Sequence, residues 1–391
     1  MTEWKEYKMS DLIDEIAMGP FGSNIKVDCF VGSGIPVLNG SNLVGFRLNE
    51  EAFNYVTKEK ADSLGHSNAY RGDVVVTHRG TLGQIVYIPE DSKYDRYVIS
   101  QSQFRFVCKK GLVYVPYLVY YFHSREGQYK LLANASQVGV PALARPTSSF
   151  KEVIVSLPSL PTQRRIAAIL SSLDDKIDLL HRENATLEQM AETLFRQWFI
   201  EDAKEDWEEG KLGDICNYVN EKIDIGNVET GDYISTENMC PNKQGVVLAS
   251  SVPENGKATK YRIDDVLLSN IRPYFKKIWL SDREGGCSAD VLCIRGKNEL
   301  YAFFSYYTIR QDEFFDYVML GSKGCKMPRG DKSHIMNWPI IIPPKDELLK
   351  FNEIAKQGIT KIRNNNKQIR TLIQMRDELL PKLMSNEINV K

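Results

Sequence analysis

The sequence predicts a mixed α/β (α+β) protein: two similar globules separated by two long helices that pair as an antiparallel coiled coil about an internal pseudo-twofold. Three observations carry this. The opening of the chain occurs a second time near its middle, short β-branched runs follow each opening, and each globular stretch leads into a long heptad-patterned segment. At 391 residues the chain is also long for a single core.

The repeat starts with "EWKEYKMSDL" and starts again with "DWEEGKLGDI". Trp4, Glu6, Lys8 and Asp11 recur as Trp207, Glu209, Lys211 and Asp214. Further on, "GDVVVTHRG" lies over "DDVLLSNIRP", "LVYYFHSREGQ" over "FSYYTIRQDEF" and "VIVSLPSL" over "WPIIIPPK". The separation between the copies shortens from motif to motif, as loop deletions would make it. From Ile154 to Phe199 it stays constant, which suits a packed helix in fixed register.

The first globule, 1–158, carries the strand-like runs "DVVVT", "QIVYI", "YVIS" and "FRFVC". A first helix fills 159–203. Ile166, Leu170, Leu173, Ile177, Leu180, Asn184, Leu187, Ala191, Leu194 and Trp198 alternate by four and three residues, an a/d seam. Pro161 suits its first turn. Asn184 on the seam would fix register or hydrogen-bond a neighbour or a water, and Phe195, Trp198 and Phe199 would pack on the start of the second globule or dock a partner. The second globule, 204–343, carries "DVLLS", "KIWL" and "DVLCI", and a second helix fills 344–391. Its seam includes Ala355, Ile362, Ile369, Leu372, Ile373, Leu379 and Leu383, with Gly358 and Pro381 weakening it. Each seam needs a partner, and the obvious one is the other helix. Forty helical residues would reach ~60 Å and act as a ruler between the globules.

No catalytic motif stands out. There is no G-x-x-x-x-G-K-[ST], no H-E-x-x-H and no G-x-S-x-G, and the five histidines are scattered. "NWPIIIPPK" has the composition of an amino-methyltransferase box in the wrong order, and Asp290 lacks the continuation of a nuclease metal site. The seven cysteines form no C-x-x-C pair, which reads as reduced thiols in a cytoplasmic protein. No apolar run is long enough for a membrane span, and the start shows no signal peptide. Net charge is −1, yet "NIRPYFKKIW" and "GSKGCKMPRGDK" are locally basic. A duplicated binder on a helical ruler suits duplex DNA, whose half-sites would then differ because the globules differ.

These motifs together resemble the specificity subunit of type I restriction-modification systems, over nearly the whole chain. The two W-x-E-x-K-x-x-D-[LI] openings resemble the starts of that family's target-recognition domains. "GDVVVTHRGTLGQ" resembles the strand before its central loop. "SLPSLPTQRRIAAILSSLDDKID" with "LEQMAETLFRQWF", and "IPPKDEL" with "RDELLPKLMSNEI", resemble its two conserved helical regions. The resemblance implies a subunit that is no enzyme and holds no cofactor. It would read a bipartite target on double-stranded DNA and recruit two methyltransferase subunits, which use S-adenosylmethionine. Restriction subunits would add ATP-driven translocation and cleavage. The Gln of "LPTQRR" has no counterpart in "IPPKDELLK", and these helix starts are where partners would touch. An alternative within the same family is a modification-only targeting subunit; alternatives from other classes are a fused methyltransferase or nuclease, and a coiled-coil adaptor that binds no DNA.

Side-chain chemistry nominates the readers, since Arg, Lys, Asn, Gln, Ser and Thr meet bases and phosphates. In the first globule these are Ser23, Asn24, Lys26, Thr77, His78, Arg79, Gln101, Gln103, Gln137 and Arg145. In the second they are Asn270, Arg272, Tyr274, Lys276, Lys277, Lys323, Lys326, Arg329 and Lys332.

Overall fold

A computed structural model describes residues 4–136, 139–322, 324, 326–388 and 390. The chain forms two compact units, one of residues 1–177 with 370–391 and the other of residues 178–369. The division falls inside both long helices, because each half of each helix buries its seam within its own unit.

In the first unit the opening strand Lys5–Lys8 pairs antiparallel with Ile154–Leu157, the strand just before the first long helix. A four-stranded antiparallel sheet has the spatial order Ile13–Met18, Gln103–Cys108, Val74–Thr77, Ile85–Tyr87. A second sheet runs Asn54–Val56, Ile35–Val37, Arg96–Val98, Asn68–Tyr70, and is parallel only where Val37 meets Val98. The continuous run Val74-Val75-Val76 follows from burial on both faces, since successive strand residues point to opposite sides. Val74 and Val76 join the core with Phe104, Phe106, Tyr117, Tyr121, Phe122 and Phe150. Val75 joins a core on the other face with Val86, Leu38, Ala69, Tyr97 and Ile99.

The second unit repeats this plan. Glu208–Lys211 pairs antiparallel with Pro339–Ile342. One four-stranded antiparallel sheet runs Cys216–Tyr218, Val291–Gly296, Val266–Ser269, Ile278–Leu280. The other runs Lys222–Asp224, Lys257–Tyr261, Gly285–Cys287, Tyr233–Ile234. Val266 and Leu268 face the core of Phe304, Tyr307, Phe314 and Phe315, while Leu267 faces Ile234, Tyr261 and Trp279.

The first long helix spans Leu160–Arg196 and closes in a π-helical turn at Gln197–Glu201. The second spans Lys345–Met384 and runs through both Gly358 and Pro381. Pro381 sits in the last turn, so the bond to the i−4 carbonyl that it removes is followed by only the final residues of the helix. In the first unit Ile166, Ala167 and Leu170 share a core with Leu380, Leu383 and Met384, and Arg376 bonds Asp174 at 3.0 Å. Leu173, Leu372 and Leu379 are half-buried there and Ile177 is buried.

In the second unit the packing is antiparallel, because Asn184 meets Asn366 while Phe199 meets Phe351. Leu180, Ala191 and Ile369 are buried, and Leu187, Leu194 and Ile362 half-buried. Asn184 does not act alone. Asn365, fully buried, donates to Asn184 Oδ1 and Glu183 Oε2, each at 2.9 Å. Phe195 and Phe199 pack on Phe304, Tyr307 and Phe351, with Trp207 of the repeated opening against Phe199. Of the two readings for these aromatics, core packing is the one observed for Phe195 and Phe199, which are buried. Gln163 is likewise structural, at 1% exposure. It accepts from the Tyr114 amide and donates to the Leu112 and Pro158 carbonyls, at 2.8, 3.0 and 3.0 Å.

Candidate nucleic-acid interface

Sheet register decides which loops meet. In the first unit Thr77 pairs with Gln103 and Met18 with Phe104, so one strand starts and two end at the same edge. The segments emerging there are the turn after Met18, the loop 77–84 and the turn before Gln103. A small hairpin, Ala135–Ser136 with Ala142–Leu143, closes over them. Leu143 N donates to His78 O and Gly80 N to Pro141 O, both at 2.8 Å, and Arg79 bridges Ala142.

The second unit makes the same three contacts. Gly330 N donates to Asn270 O at 3.2 Å, Arg272 N to Pro328 O at 2.8 Å, and Ile271 bridges Arg329. The frame is conserved between the units while the side chains it displays change, from Arg79 and Ala142 to Ile271 and Arg329.

Most first-unit candidates lie on this edge. Ser23, Asn24 and Lys26 are exposed, the first two on the 3-10 turn Gly22–Asn24. Gln101 is exposed and lies over that turn so closely that a Cβ on Gly22 would come within 2.2 Å of its Oε1. His78 Nε2 stands 3.2 Å from the Gln101 carbonyl, and burial lowers its pKa, favouring the neutral ring. Arg79 is exposed, as is Arg145, which has a left-handed backbone (φ 48°).

Two candidates are corrected: Thr77 and Gln103 are 3% and 1% exposed and present nothing to a base. Thr77 donates to Gln84 Oε1 at 2.9 Å, and Gln103 Oε1 accepts from the Ser100 amide at 2.9 Å. Both are polar because strand ends leave backbone and side-chain groups to satisfy inside the fold. Gln137 lies outside the described residues.

In the second unit Tyr274, Lys326, Arg329 and Lys332 are exposed. Arg329 pairs with Asp290 at 3.3 Å, and Lys332 Nζ lies 5.7 Å from the Tyr218 ring. Lys276 and Lys277 are more committed than their type suggested. Lys276 pairs with Asp312 at 2.9 Å, and Lys277 donates to the Thr236 carbonyl at 2.6 Å. Asn270 Oδ1 and Arg272 Nε are buried without a hydrogen-bond partner among the described residues. Such atoms cost ~1–3 kcal/mol each unless a ligand satisfies them. Lys323 lies outside the described residues.

The sequence reading missed what supports this edge. Lys243 bonds Asp312 and Glu192, at 2.9 and 3.1 Å, and buried Arg310 donates to the Lys243 carbonyl at 3.2 Å. No local motif announces these residues, which meet only through the fold. Among the described residues, no group of three or more His, Cys, Asp or Glu could hold a metal ion.

A family model for the type I restriction modification DNA specificity domain matches residues 1–189 and, a second time, 204–374. The chain belongs to that family. Each match covers one repeat, so the two units display one specificity domain each. Over 425 aligned residues the chain is 27% identical to the type I restriction enzyme MjaIX specificity subunit of Methanocaldococcus jannaschii, covering 100% of this chain and 94% of that one. It is 24% identical over 207 residues to the HindI specificity subunit of Haemophilus influenzae, covering 51% of this chain and 42% of that one. The crystal structure of the type I S subunit from M. genitalium aligns with a TM-score of 0.58 at 15% identity, over 98% and 96% of the two chains. At that identity the likeness is one of fold.

Proposed function

We propose that this chain is the DNA-recognition subunit of a type I restriction-modification complex, in which each specificity domain reads one half of a bipartite target. The observation that carries this is the doubled frame: the same three backbone contacts hold a loop and its covering segment in both units, with different side chains on display. A constant frame with variable polar and basic side chains suits base readout, in which phosphate contacts position and base contacts specify.

The subunit supplies recognition, and the chemistry belongs to its partners. Two methyltransferase subunits would bring S-adenosylmethionine, and restriction subunits would bring ATP-driven translocation and cleavage. None of the chain's helices is long and apolar enough to cross a membrane among the described residues. A complex that works on DNA would act in the cytoplasm. The test is to express the chain with its methyltransferase partner and map methylated adenines across the host genome. A single bipartite motif is expected. Abolishing it should follow from Arg272→Ala combined with Lys326→Ala, and methylation unchanged at moderate salt would overturn the assignment of this patch.

A further inference from the structure

The display loop of the second unit carries something its counterpart lacks. Both loops leave the sheet, pass two left-handed residues and return. The Thr77 amide meets the Gln84 carbonyl, and the Ser269 amide meets the Lys277 carbonyl, both at 3.0 Å. The left-handed positions are Gly80 (φ 91°) and Gly83 (φ 87°) in the first unit, but Arg272 (φ 50°) and Lys276 (φ 51°) in the second. Glycine adopts this geometry freely; a residue with a Cβ is strained in it, and such strain gathers at functional sites.

Between these positions the first unit has Thr81 and Leu82. The second has Pro273, Tyr274 and Phe275, on a 3-10 turn. Pro273 is buried, whereas Tyr274 and Phe275 are 47% and 37% exposed, their ring centroids 4.7 Å apart.

The base of this loop is clamped. Lys276 and Lys243 both pair with Asp312 at 2.9 Å, and Lys277 donates to the Thr236 carbonyl. The amides of Asn242 and Lys243 donate to the Phe275 and Lys276 carbonyls at 2.8 and 2.9 Å. The Asp312 carboxyl is held below its ordinary pKa by hydrogen bonds from Lys243 and Lys276, which keeps the clamp charged at neutral pH. An aromatic pair is thus fixed on a surface that also carries Arg272 and Arg329. Duplex DNA offers the complement, anionic phosphates outside and π faces between base pairs.

We propose that Tyr274 and Phe275 form a wedge that enters a base step of the second unit's half-site, unstacking it and bending the duplex there. This rests on the DNA-recognition reading. Pyrimidine–purine steps deform at least cost and are the expected point of entry.

The test uses the full chain with its methyltransferase partner and target duplexes carrying 2-aminopurine at successive positions. A photocrosslinker in place of Met327, which is exposed and not a candidate reader, identifies the second unit's half-site. The methyltransferase extrudes its target base, which gives a rise in fluorescence at the target adenine of each half-site; the wedge should add a further rise at one other step, in the second unit's half-site alone. The Tyr274→Ala/Phe275→Ala variant should lose this further rise while keeping those at the target adenines, and bind the target about 5- to 150-fold more weakly, the range expected for one lost stacking contact. Tyr274→Phe should keep most of both, and Asp312→Asn, which loosens the clamp, should blunt the signal. A duplex that is bound with no rise beyond the target adenines, or a double-alanine variant with the further rise and full affinity, overturns the wedge while leaving the DNA reading intact. Failure to bind any duplex overturns the DNA reading itself.

Discussion

Asp73 and Asp265 open equivalent strands, and the repeated Asp-Val pair in the sequence now has a cause. Asp73 accepts from the Tyr70 amide at 3.0 Å and pairs with Arg105 at 3.1 Å. Asp265, 1% exposed, accepts from the Arg262 amide at 2.7 Å and takes two bonds from Arg295, at 2.6 and 2.7 Å. Each carboxylate ties a turn to the strand beside it. Removing one leaves a guanidinium short of its partner, so Asp265→Ala should cost about 3 kcal/mol in urea unfolding; a loss below about 1 kcal/mol would show that Arg295 simply turns to solvent. Among the described thiols, Cys108, Cys216, Cys287 and Cys293 are small buried groups of the core. Burial pushes Cys108, Cys216 and Cys287 up to about 12, so at pH 8 they remain protonated. Iodoacetamide at that pH should modify Cys29 and Cys240, both half-buried, before any of these three, as peptide mass spectrometry would read.

Among the elements, the first long helix was legible because its seam is almost wholly apolar. Ile166, Leu170, Ile177 and Leu180 are all buried. The second was half legible. Ile362, Ile369, Leu372 and Leu379 were read from spacing, but Leu348, Phe351, Ile359 and Asn365 were passed over, and all four are buried. Asn365 escaped because a polar residue midway between Ile362 and Ile369 looks like a break in the pattern, whereas here it is part of the seam. A polar cluster on an otherwise apolar seam would hold the antiparallel packing of the second unit in one register at some cost in stability. A double-mutant cycle on Asn184→Ala and Asn365→Ala should return a coupling of about 1 kcal/mol. Strictly additive effects would mean that the two amides do not act together.

For the molecule as a whole, duplication was the strongest signal in the sequence, and the two family matches fall on it. The display residues were the weakest, because side-chain type does not reveal where a side chain ends. Thr77 and Gln103 have reader chemistry but cap strands inside the fold, and Lys276 is spent on Asp312. Arg79 and Arg329 remain exposed on their respective frames. Arg79→Ala should relax one half of the methylation motif and Arg329→Ala the other, each by about 1–3 kcal/mol of discrimination. Genome-wide methylation maps of the two variants would show it, and loss of the whole motif in either would contradict independent reading by the two units.

The shared frame also bears on how such proteins diverge. Its shape is set by backbone contacts that do not depend on the side chains at Arg79, Ala142, Ile271 or Arg329. The loop within the frame already differs between the units, from Thr81-Leu82 to Pro273-Tyr274-Phe275, while the frame's backbone contacts stay the same, so DNA preference can change without a change of fold. Two strains could carry nearly identical chains and mark different sites as self, so ancestry across the whole chain is a poor guide to which foreign DNA is refused.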